Sequence, residues 1–142
     1  MTDEGWGRAD APCALVVDDS DDITLLTTIY LERGGYQVQT ADTAEAGIAK
    51  ARELQPDVIV LDYMLGEQKG SDVVRALATD ACTMGIPVLL VTARVDPEAQ
   101  RDVLASGAAG VVTKPFSSAQ LLDAVNDAYR SAPAPAPRMP PA

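Results

Sequence analysis

Four short apolar runs, each stopped by a polar side chain, constrain this chain more than any other feature. Ala14-Leu15-Val16-Val17 stops at Asp18 and Asp19, Val58-Ile59-Val60-Leu61 at Asp62, Val88-Leu89-Leu90-Val91 at Thr92, and Val111-Val112-Thr113 at Lys114. A strand without a polar face is buried on both sides, the condition of a parallel strand covered by helices. Segments of helical period lie between the runs. That alternation predicts an α/β fold, a five-stranded parallel sheet wound on both faces by five helices.

The predicted strands run from Cys13 to Asp18, Tyr36 to Ala41, Asp57 to Asp62, Pro87 to Thr92 and Gly110 to Thr113. The second alternates polar and apolar residues, which suits an edge strand with one wetter face. Ser20 or Asp21 caps the first helix, which puts Ile23, Leu26 and Tyr30 on its inner face beside Leu25 and Ile29 and ends at Gly34-Gly35. Thr43 opens the second and Ser71 the third, whose Val73, Val74 and Leu77 face the sheet. Asp96-Pro97-Glu98 supplies a cap, a first-turn proline and a first-turn acid for the fourth, which Gly107 ends. Ser117 with Gln120 forms a capping box for the fifth, with Leu121, Leu122 and Val125 as its stripe.

A chain of 142 residues has room for one domain with a sizeable core. Its ends differ from its middle. Residues 1–11 read as a flexible segment, 12–130 as the domain, and 131–142 as a Pro/Ala-rich disordered tail that no second domain follows. A net charge of -10 speaks against binding nucleic acid or an anionic membrane through a basic patch. Neither a span of membrane length nor a basic leader is visible, so the expected compartment is the cytoplasm. Cys13 and Cys82 read as buried, reduced thiols.

The chain has no histidine, which removes catalytic triads, His-based zinc sites and phosphohistidine chemistry of its own. Its chemistry runs on carboxylates, hydroxyls and lysine. In a parallel sheet the carboxyl ends of all strands share one edge, so Asp18, Asp19 and Asp62 converge there if the first and third strands are neighbours. Such a cluster of hard oxygen ligands calls for a divalent cation, Mg²⁺. With the charge screened, Asp62 can take a phosphoryl group, Lys114 can stabilise the phosphoryl oxygens, and Thr92 can donate a hydrogen bond to them. Each residue also has a plainer reading. Asp21 and Asp22 suit a solvated helix start, Lys114 an ordinary turn, and Thr92 a hydroxyl bonded to its own backbone.

The order and spacing of these pieces resemble the receiver domain of two-component response regulators. The resemblance rests on Leu15-Val16-Val17-Asp18-Asp19, on Val58-Ile59-Val60-Leu61-Asp62 followed by Gly70, on Val91-Thr92-Ala93, and on Gly107-Ala108-Ala109-Gly110 leading to Lys114-Pro115-Phe116. It implies a flavodoxin-like fold with strand order 2-1-3-4-5, an order taken from the family and not from the pattern. It further implies a stand-alone, chemotaxis-receiver-like regulator phosphorylated on Asp62 by a histidine kinase, a phosphotransfer protein or a small phosphodonor. Asp18, Asp19, Asp62 and the backbone carbonyl of Met64 would hold Mg²⁺, and Thr92 and Lys114 would contact the phosphoryl group. Family members typically have a cis peptide at the place of Lys114-Pro115. They signal through the fourth helix, fifth strand and fifth helix, so residues 96–130 are the expected face for a downstream protein; a homodimer is a further candidate.

Two positions depart from the family's pattern. Gly66 stands where a proline is usual, and Val111 where an aromatic side chain commonly swings inward on phosphorylation. A valine cannot make that movement. Two other readings compete with a phosphorylated regulator: an interaction module that works unphosphorylated, and a Mg²⁺-dependent phosphohydrolase of the haloacid dehalogenase type. The hydrolase would need a second aspartate as general acid/base where this chain has Met64. On this reading the protein is not an enzyme, apart from catalysing its own phosphorylation and dephosphorylation.

Overall fold

The computed structural model describes residues 11–131. The expectations for residues 1–10 and 132–142, including most of the N-terminal segment and of the Pro/Ala-rich tail, lie outside the described residues. Five strands form one parallel sheet: β1 (Cys13–Val17), β2 (Gln37–Ala41), β3 (Val58–Asp62), β6 (Val88–Thr92) and β7 (Gly110–Thr113). Their order is β2-β1-β3-β6-β7. The helices between them are α1 (Asp21–Arg33), α2 (Ala44–Leu54), α3 (Gly70–Ala78), α4 (Pro97–Ser106) and α5 (Ser118–Ser131). This is the five-stranded, doubly wound, flavodoxin-like architecture that the pattern and the resemblance together led us to expect.

Side chains alternate across each central strand and feed two separate cores. Leu15, Val17, Ile59, Leu61 and Leu90 face α2, α3 and α4, where they meet Ala51, Val74, Leu77 and Val103. Ala14, Val16, Val58, Val60 and Leu89 face α1 and α5, where they meet Leu31, Leu121 and Val125. The apolar runs lack a polar face because both faces are covered. The edges differ: β2 keeps a wetter face as expected, and on β7 only Val112 is fully buried while Val111 is 49% exposed.

The caps place the helices. Ser20 Oγ accepts from Ile23 N–H, Thr43 Oγ1 from Ala46 N–H, and Asp96 from Ala99 N–H. Ser117 and Gln120 bond reciprocally at 2.9 and 3.1 Å, and α4 ends at Gly107 in the left-handed region. Three expectations are corrected. Ser71 does not open α3; Lys69 stands at that cap without a side-chain bond, and Ser71 is wholly buried inside the helix. The inner face of α1 centres on Thr27 and Leu31, which leaves Leu25 61% and Ile29 36% exposed. Cys82 lies exposed and Cys13 half-buried, so neither is a core thiol.

A two-stranded hairpin between β3 and α3 has no counterpart in the sequence reading. Met64–Leu65 (β4) pairs antiparallel with Gln68–Lys69 (β5), and Gly66 makes the turn with φ +58°. Among the described residues no helix is long and apolar enough to cross a membrane.

Candidate functional site

Parallel pairing decides which polar groups meet. β1 and β3 are neighbours with Val17 opposite Leu61, so the next residues along, Asp18 and Asp62, emerge side by side at the carboxyl edge. β6 flanks β3 on the other side with Val91 opposite Asp62, and β7 follows with Thr113 opposite Thr92. Asp18, Asp62 and Thr92 are all buried. Asp18, Asp19 and Asp62 each offer a carboxylate oxygen within 4.8 Å of the others.

Lys114 reaches back into this cluster. Its Nζ lies 3.4 Å from Asp62 Oδ1 and 3.9 Å from Asp18 Oδ2. The Lys114–Pro115 peptide is cis. Asp18 Oδ1 also accepts from Ser20 N–H at 2.9 Å, Asp62 Oδ1 from Met64 N–H at 3.3 Å, and Asp19 Oδ2 from Gly66 N–H at 3.0 Å. Asp19 thereby ties the hairpin to the end of β1. Gly70 closes the site from below, where a Cβ would strike the backbone carbonyl of Asp62. The glycine allows α3 to start directly against the end of β3.

Of the two readings of Thr92, the structure shows the plainer. Its hydroxyl accepts from Arg94 N–H at 2.9 Å and donates to the Arg94 carbonyl at 3.4 Å. The strand pairing still sets it at the same edge as Asp62.

Residues 14–126 match the family described as the response regulator receiver domain. The chain belongs to that family. The chain is 40% identical over 119 residues to the DNA-binding dual master transcriptional regulator RpaA of Synechocystis sp., covering 84% of this chain and 49% of that protein. It is 33% identical over 116 residues to the phosphate regulon transcriptional regulatory protein PhoB of Escherichia coli, covering 82% and 51%. The receiver thus spans about half the length of the curated relatives it matches. Among solved structures, the chemotaxis response regulator CheY4 of Vibrio cholerae superposes with a TM-score of 0.76 at 31% identity, covering 82% of this chain and 97% of that one. A CheY-like receiver domain from Methanospirillum hungatei gives 0.78 at 26% identity, covering 85% and 95%. Receiver domains are signalling modules and not true enzymes, and they partner with histidine kinases.

The receiver's acidic cluster fits a divalent cation on its own chemistry. Burial pushes the Asp18 carboxyl above its usual range, the Ser20 N–H opposes that, and the Asp62 charge pushes it further up. A buried carboxylate under that pressure, with two more beside it and a single lysine to share, is a donor set that a cation relieves.

One network beside the site is missing from the sequence reading, which took Ser71 only as a helix cap. Asp102 on α4 accepts from the Tyr63 hydroxyl at 2.9 Å, from Arg75 Nη2 at 2.9 Å, and from the Ser71 hydroxyl. Those donors come from β3's exit and from α3. No motif or spacing marks them, and each reads singly as a surface or helix residue.

Proposed function

We propose that this receiver accepts a phosphoryl group on Asp62 and, so modified, binds a protein partner. The donor is a histidine kinase, a phosphotransfer protein or a small acyl phosphate. The observation that carries the reading is the Asp62 carboxylate, buried at a strand end, with Lys114 Nζ at 3.4 Å and two further carboxylates in reach. An Asp62 oxygen attacks phosphorus, the new O–P bond forms as the donor's P–N or P–O bond breaks, and the donor leaves with the electron pair. Lys114 stabilises the charge that gathers on the phosphoryl oxygens, and Thr92 turns its hydroxyl proton from Arg94 to one of them.

Asp18, Asp19, Asp62 and the Met64 carbonyl are the groups proposed to hold Mg²⁺. When bound, the ion neutralises the crowded carboxylates and the incoming phosphate. The partner face we propose is the α4–β7–α5 side, within residues 96–130. It carries a groove of ≈ 250 Å³ lined by Val95, Val103, Leu104 and Val111, with Leu104 82% exposed. We further propose a cytoplasmic, single-domain regulator. The likeness to CheY4, which covers 97% of that chain, supports this, whereas RpaA and PhoB are longer proteins. The size of the protein in its native cells decides that point.

The test of the reading is incubation with acetyl phosphate and Mg²⁺ while watching for a phosphoryl adduct, cleaved by base and by hydroxylamine, that Asp62→Asn lacks. An unmodified wild type with bound Mg²⁺ would sink it. The half-exposed Val111 favours one competing reading, a module that binds its partner unphosphorylated. Equal partner affinity of wild type and Asp62→Ala, with and without phosphodonor, would establish that alternative. A hydrolase is disfavoured by the family and by Met64, which has no proton to exchange at the position where that chemistry needs an acid.

A further inference from the structure

Two side-chain clamps grip α4 from the phosphoacceptor edge, and they meet at Tyr63. At the helix N-terminus, Asp96 caps Ala99 N–H at 3.2 Å and is held by Arg94 through Nε at 2.9 Å and Nη2 at 2.7 Å. Further along, Asp102 receives the Tyr63 hydroxyl together with Ser71 and Arg75. The Arg94 guanidinium lies over the Tyr63 ring, 5.9 Å from its centroid. One aromatic side chain therefore touches both clamps, and it belongs to the residue that directly follows Asp62.

Both clamps also lead back to the site through the backbone. Tyr63 N–H is bonded to Val91 C=O at 2.8 Å, and Arg94 N–H to the Thr92 hydroxyl at 2.9 Å. A hydroxyl has one proton to give. If Thr92 donates it to a phosphoryl oxygen on Asp62, the bond to Arg94 C=O is lost. A hydroxyl oxygen drawn away from Arg94 also lengthens the bond it accepts from Arg94 N–H. Arg94 then passes the displacement to Asp96 and to the Tyr63 ring together.

Resting on the phosphorylation reading above, we propose that Tyr63 and Asp102 are positioning residues that couple the phosphoryl state of Asp62 to the placement of α4. Neither touches the phosphoryl group. A carboxylate that takes three donors from two other elements has one satisfying geometry, so a shift at Tyr63 re-sets the helix on which Asp102 sits. A merely structural network would pack α3 against α4 identically in both states.

The experiment is amide hydrogen exchange of α4, with and without acetyl phosphate and Mg²⁺, on the full chain. It compares wild type, Tyr63→Phe, Asp102→Asn, the double variant, and Arg101→Ala as a control on the exposed side of the same helix. Phosphoryl uptake is read by intact mass in the same samples. All five proteins are expected to take up phosphate, since none of the changes removes a group that contacts it. Phosphorylation should alter α4 exchange in wild type and Arg101→Ala by about fivefold or more, the scale of one net hydrogen bond. That response should shrink in either single variant, with the double no worse than the single changes, as expected of residues acting as one unit. If Tyr63→Phe folds poorly, Asp102→Asn alone carries the comparison. A wild-type-sized response in variants that are phosphorylated overturns the coupling and leaves the phosphorylation reading intact. Exchange altered equally with and without phosphodonor also overturns it, because the role is then structural. Absence of uptake in the wild type brings down both.

Discussion

Lys114 Nζ lies 3.4 Å from Asp62 Oδ1, although the residues are 52 apart in sequence and come from non-adjacent strands. The contact exists because parallel strands bring their carboxyl ends to one edge. It gives the site its only cation among the described groups that contact Asp62. Lys114→Ala removes that charge and should slow phosphoryl uptake from acetyl phosphate by about a hundredfold, the scale of one lost oxyanion stabiliser. Stopped-time intact mass measures it. An unchanged rate would remove Lys114 from the chemistry.

Mg²⁺ should raise the melting temperature, since a ligand that binds only the folded state stabilises it, by about 2.7 kcal/mol at a hundred times its Kd. In chelator, Asp18→Asn should melt higher than wild type, because it removes one of the like charges crowded within 4.8 Å. The same variant should lose most of the Mg²⁺-induced rise. Thermal scans with chelator and with Mg²⁺ check both signs, and an undiminished rise in Asp18→Asn would contradict the assignment.

Gly70 and Gly66 should respond differently to alanine. At position 70 the new Cβ meets the Asp62 carbonyl, with Leu90 and Tyr63 Cα each at 3.0 Å, so Gly70→Ala forces the backbone apart and destabilises by about 1–3 kcal/mol. At position 66 nothing lies within reach and only the left-handed φ of +58° is penalised, by about 1 kcal/mol. Urea unfolding separates them, and equal losses would refute the close-approach argument.

Asp102 and Asp96 predict an acid-sensitive fold. Hydrogen bonds from Ser71, Arg75 and Tyr63 pull Asp102 down to about 2, and Arg94 does the same for Asp96. Both values lie below the ordinary 3.8 that the unfolded chain restores. Their stabilisation is therefore fully present above 3.8 and is lost as pH falls through about 2. Asp102→Asn should be less stable than wild type near neutral pH and should show a shallower fall of stability in that acid window. A fall as steep as in wild type would contradict the assignment.

Much of this fold could be read from the chain because local and global signals agree. Both cores draw on the same apolar runs, so Asp62, Asp18 and Lys114 were legible as strand-end groups, and Thr43, Asp96 and Gly107 carried their helix ends in residue type. The failures share a cause. The apolar period of α1 set Ile23, Leu26 and Tyr30 on one face with Leu25 and Ile29 beside them, but burial there centres on Thr27 and Leu31, where α1 meets β1, β2 and α5, which periodicity does not specify. Ser71 looked like a cap, but tertiary contact with Asp102 claimed its hydroxyl. The hairpin of Met64–Leu65 with Gln68–Lys69 is too short to leave a pattern. The Tyr63–Asp102 contact spans 39 residues between ordinary-looking positions, so only the folded chain reveals it.

Reductive trapping reports whether Asp62 carries the phosphoryl group. Borohydride reduces an aspartyl phosphate to homoserine, which peptide mapping then locates. After acetyl phosphate and Mg²⁺, we expect homoserine at position 62 alone, dependent on both reagents and absent when Lys114→Ala is sampled at early times. Homoserine at another aspartate, or none in a protein shown to bind Mg²⁺, would rule out Asp62 as the phosphoryl carrier.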